Sequence, residues 1–108
     1  MCTYVTEQAA ASGSGKGAVG WFPLSAVTVY YDHPVHAQAE HTMNIDFANP
    51  ERGAGSRVAV ELTTDSAVDL VRAVARVFAQ VPADLTGVDP ERARQLAEAA
   101  EALAGELV

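Results

Sequence analysis

The hydrophobic period of this chain changes once, near Thr63, and that change decides what it can fold into. Upstream, β-branched, aromatic and polar residues follow one another in short runs with the two-residue period of half-buried strands; Ala26-Val27-Thr28-Val29-Tyr30-Tyr31 is the strongest of them. Downstream, Val71, Val74, Phe78 and Val81 recur every three or four residues, and Leu70 and Val77 widen the stripe, which is the period of an amphipathic helix.

The pattern predicts strands over residues 3–8, 26–31, 41–47 and 57–63. A helix is expected over 65–81, capped by Thr64 or Asp65 and stopped by Pro82. A second helix opens with Asp89 as cap and Pro90 as first residue. Residues 11–20, ASGSGKGAVG, are expected to be a flexible loop, a flap over a neighbouring site rather than a phosphate loop, since G-x-x-x-x-G-K-[ST] is absent. The expected fold is α+β: a four-stranded antiparallel sheet followed by two helices on one face, in the order β-β-β-β-α-α. Residues 1–108 are read as a single domain, with the sheet and first helix in 1–81 and a C-terminal helical extension in 82–108. The last helix carries a narrow stripe, Leu96, Ala100, Leu103 and Leu107, that suits packing on another helix, so a homodimer is expected.

Composition enters as a set of exclusions. Hydrophobic residues make up 49% of the 108, enough to build a core. No apolar run reaches the roughly 18 residues that span a bilayer, and residues 1–8 lack the features of a secretory signal. The single cysteine, Cys2, excludes an internal disulfide and fits a reducing compartment, so the chain is expected in the cytoplasm, without membrane association. Fourteen acidic residues against seven basic ones give a formal charge of −7, which opposes nucleic-acid binding.

All three histidines fall in one short segment, His33-Pro34-Val35-His36-Ala37-Gln38-Ala39-Glu40-His41. Alternation puts His33 at the end of the row Val27, Val29, Tyr31 and His41 at the start of the row Met43, Ile45, Phe47. If the two strands pair, His33 and His41 meet at the mouth of the hairpin, and His36 is expected to fold back over them from the connecting loop. Three imidazoles at the edge of an apolar floor suit zinc, iron, copper or nickel, with Asp32, Glu40 and Asp46 as nearby carboxylates. The spacing H-x2-H-x4-H matches no motif with an established mechanism. The same residues also suit acid–base chemistry without a metal, with His33 or His41 as general base and Asp32 or Asp46 orienting it. A third reading makes them polar strand ends bonded to backbone or carboxylates.

Cys2 is the remaining candidate. Removal of the initiator methionine before so small a side chain leaves a free α-amine beside a thiol, a pair able to chelate a metal or to act as nucleophile and base. The aromatic residues Trp21, Phe22, Tyr30 and Tyr31 are core or pocket-lining candidates.

The segments Met1-Cys2-Thr3-Tyr4, Gly20-Trp21-Phe22-Pro23, Asp32-His33-Pro34-Val35-His36, Glu40-His41-Thr42 and Asn44-Ile45-Asp46-Phe47 resemble a family of short bacterial proteins of unknown function. The resemblance covers roughly residues 1 to 81. It implies no substrate, but it groups Cys2, His33, His36 and His41 as one constellation. The leading expectation is a small metal-binding protein, in the enzyme case a metalloenzyme, with those four residues as ligands. The alternatives are a metal-free enzyme or small-molecule binder using His33, His41 and Asp32, and a structural or partner-binding dimer.

Overall fold

The computed structural model describes residues 5–108. Six strands come first: β1 (Val5–Ala10), β2 (Ser14–Gly17), β3 (Gly20–Pro23), β4 (Ala26–Asp32), β5 (Thr42–Ala48) and β6 (Arg57–Leu62). Two helices follow, α1 (Thr64–Gln80) and α2 (Pro90–Glu106). The fold is therefore α+β, with one four-stranded antiparallel sheet in the order β1-β4-β5-β6. The part of the first expected strand before Val5 lies outside the described residues.

The expectation for residues 11–20 needs correction. They do not form a loop: Ser14–Gly17 pairs with Gly20–Pro23 as a separate two-stranded hairpin between β1 and β4. The glycines that suggested flexibility serve close approach and a turn. A Cβ on Gly17 would stand 2.7 Å from the Arg57 carbonyl oxygen, so only glycine lets this hairpin lie against β6. Gly20, at φ +96°, takes up the left-handed backbone after the Ala18-Val19 turn. The hairpin also buries Phe22, which is 3% exposed, a burial worth about 1.5–3 kcal/mol. Its neighbour Trp21 points the other way and is exposed.

Register gives the sheet two unlike faces. One carries the cross-strand rows Val27–Phe47–Val58, Val29–Ile45–Val60 and Tyr31–Met43–Leu62. The other carries Tyr30–Asn44–Glu61, Thr28–Asp46–Ala59 and Ala26–Ala48–Arg57. The second face is held by polar contacts: Gln8 donates to Thr28, the Thr42 hydroxyl donates to Asn44 Oδ1 at 2.7 Å, and Arg57 Nε donates to both Asp46 oxygens.

The chain divides after Thr64 into two compact units, the second being Asp65–Val108. In that unit the Asp89 carboxylate accepts from the Arg92 N–H and Pro90 opens α2, as the sequence pattern predicts. Helix α1 ends at Gln80, two residues before Pro82. Small residues, Ala67 and Ala75 on α1 and Ala93 and Ala104 on α2, are the buried ones, whereas Val71, Val74 and Val77 of the expected α1 core stripe are exposed. Among the described residues, no helix is long and apolar enough to cross a membrane.

Candidate functional site

Strands β4 and β5 pair from Ala26↔Ala48 to Asp32↔Thr42, so the segment 33–41 connects them as the end of a hairpin. His33 and His41 flank its mouth, and the structure brings them together: their ring centroids lie 4.4 Å apart with the planes tilted by 33°. The His41 ring also stacks on Tyr31, at 5.9 Å and 17°. Both contacts place the pair on the Tyr31–Met43–Leu62 side of the sheet, at the end of the apolar rows.

His33 Nδ1 lies 2.9 Å from the Glu40 carbonyl oxygen. A carbonyl only accepts, so Nδ1 carries a proton, and the tautomer this contact selects has its lone pair at Nε2. Asp32, 4% exposed, accepts the His33 backbone N–H on Oδ1 at 2.7 Å. It thereby fixes the chain where the strand ends. The imidazole of His33 is oriented by the Glu40 backbone.

His36 goes elsewhere. The backbone N–H groups of Val35, His36 and Ala37 converge on the Glu61 carboxylate, at 2.6, 2.9 and 2.9 Å. Three successive amides around one anion form a nest, and here the anion is a side chain of the neighbouring strand. The Val35 N–H is the chief reason the Glu61 carboxyl sits below its ordinary range; partial desolvation opposes this, and the other two amides and the His36 charge reinforce it. Because Glu61 belongs to the polar face, the loop is drawn across that face and carries His36 with it. The result is a cleft of about 620 Å³ lined by Tyr30, His36, Asn44, Asp46, Arg57 and Glu61.

The segment thus distributes its histidines, with His33 and His41 on one face and His36 on the other. Among the described residues, no group of three or more His, Cys, Asp or Glu side chains is placed to hold a metal ion. Cys2, the fourth expected ligand, lies outside the described residues. Sequence reasoning passed over Glu61, the residue that settles where the loop lies. The available signal was its position as the one acid of β6, on the face opposite Val60 and Leu62.

A family model described as a family of unknown function (DUF6295) matches residues 1–87. The chain belongs to that family. The match bears out the resemblance carried by the histidine and cysteine segments, and it stops just short of α2. No curated protein and no solved structure matches the chain.

Proposed function

We propose that this protein binds a transition metal ion at the mouth of the β4–β5 hairpin, with His33 and His41 as ligands and Cys2 as a third. The observation that carries this reading is the close approach of the two imidazoles, with His33 already held through Nδ1 by a backbone carbonyl. Metal-ligating histidines characteristically donate their second ring N–H in this way, which fixes the tautomer and leaves the other nitrogen basic. Two residues, Thr3 and Tyr4, separate Cys2 from Val5, a reach of at most about 11 Å over three residue steps, and the strand partner of Val5, Tyr31, stacks on His41. A reducing, cytoplasmic setting keeps that cysteine a thiol, and two imidazoles with one thiolate suit zinc or copper ahead of iron and nickel. Three protein ligands leave a position open to water or substrate, the arrangement of catalytic rather than structural zinc. His36 plays no part in this reading, because it lies on the other face of the sheet. The test is metal content of tag-free protein purified without chelator, compared with single alanine variants of the histidines.

Assembly is a second reading, favoured by the exposed apolar row of α1, where Val74 and Val77 are 62% and 64% exposed. We infer a homodimer formed through the helical unit, with Leu103 of the α2 stripe also exposed. Light scattering on the full chain and on a truncation lacking residues 89–108 decides it: the full chain is expected at twice the monomer mass and the truncation at the monomer mass. A monomeric full chain overturns it.

A further inference from the structure

The cleft on the polar face keeps hydrogen-bonding capacity that the fold does not use. Arg57 spends Nε on Asp46, and its two terminal amino groups have no partner among the described residues. Asn44 is 4% exposed and lines the cleft; its Oδ1 takes the Thr42 hydroxyl, while its amide nitrogen has no partner among the described residues. That nitrogen is not shut away from solvent, so it is open to a ligand that enters the cleft. Tyr30 and His36 line the same cleft. Acceptors remain as well. A carboxylate offers about four lone-pair sites, and Glu61 uses three while Asp46 uses two.

Charge decides the class of ligand. One guanidinium shares the cleft with two carboxylates, which opposes an anion, and the unused N–H donors oppose a metal cation. What fits is a neutral molecule whose groups each donate and accept, and hydroxyls do both. Where a guanidinium lies beside a carboxylate, one hydroxyl accepts from the first while its neighbour donates to the second. The volume, about 620 Å³, falls within the range of small-molecule sites.

We propose that the cleft between the Val35–Ala37 loop and strands β4–β6 binds a neutral polyhydroxylated small molecule of the monosaccharide class. The Arg57–Asp46 pair grips adjacent hydroxyls, the Asn44 amide donates from the floor, and the Tyr30 ring lies against the apolar face of the ligand.

The test is an amide NMR titration of the full chain with D-glucose, D-galactose, D-ribose and myo-inositol. Sodium acetate and inorganic phosphate serve as charged controls. At least one polyol is expected to give saturable shifts at residues 35–37, 44 and 57–61. Arg57→Gln is expected to weaken that binding about tenfold or more, and Tyr30→Ala is expected to weaken it independently. His33→Ala should leave it unchanged, which separates this site from the histidine pair. The proposal is overturned if no polyol gives saturable shifts there, if acetate or phosphate binds there more tightly, or if both cleft variants keep the wild-type affinity.

Discussion

The two faces of the sheet receive the same nine-residue loop and treat it differently. On the apolar face, the hairpin ends in two imidazoles packed on each other and on Tyr31, with backbone carbonyl and carboxylate bonds fixing the turn-off at Asp32 and His33. On the polar face, a single acceptor, Glu61, gathers three consecutive amides and holds His36 over a cleft. Closeness in sequence does not place three histidines in one site. Each strand end sends its own histidine to one face by alternation, whereas a loop histidine goes wherever its backbone finds partners.

The largest effect is expected from breaking the polar face at its floor. Thr42→Val keeps shape but leaves Asn44 Oδ1 buried without a donor, since both residues are almost wholly inaccessible. Unfolding in urea should show a loss of about 1–3 kcal/mol. An unchanged midpoint would mean that the Thr42–Asn44 contact is not what orders this face.

A smaller and local effect is expected when the Glu61 carboxylate is neutralised. Its native carboxyl is held below the ordinary range, so the clamp on the loop is fully present above the ordinary glutamate value, near 4.3, and is lost as pH falls through the lowered native one. The amide resonances of Val35, His36 and Ala37 should therefore move together in acid, with a midpoint below that ordinary value. In Glu61→Gln the shared transition should be absent. A midpoint at or above the ordinary value, or three unrelated transitions, would break the contrast between the faces.

Much of this architecture is legible in the sequence, and the parts that are not share a cause. The β4 and β5 rows, and the meeting of His33 with His41, follow from side-chain alternation, which depends only on residues near one another in the chain. The β2–β3 hairpin escaped because a glycine-rich composition reads as flexibility, whereas Gly17 is small so that Arg57, forty residues on, can approach. The position of His36 escaped because its determinant, Glu61, is 25 residues away in sequence. The α1 stripe was read correctly as apolar and helical, but periodicity does not say whether such a stripe is covered, and several of its valines are exposed.

The most direct test of the central claim is metal per chain in tag-free protein, wild type beside His41→Ala and His36→Ala, each confirmed folded by its NMR spectrum. Near-stoichiometric transition metal is expected in the wild type and in His36→Ala, and loss of most of it in His41→Ala. Metal-free wild-type protein that takes up no zinc, copper, iron or nickel on incubation would contradict it, and so would equal occupancy in all three proteins.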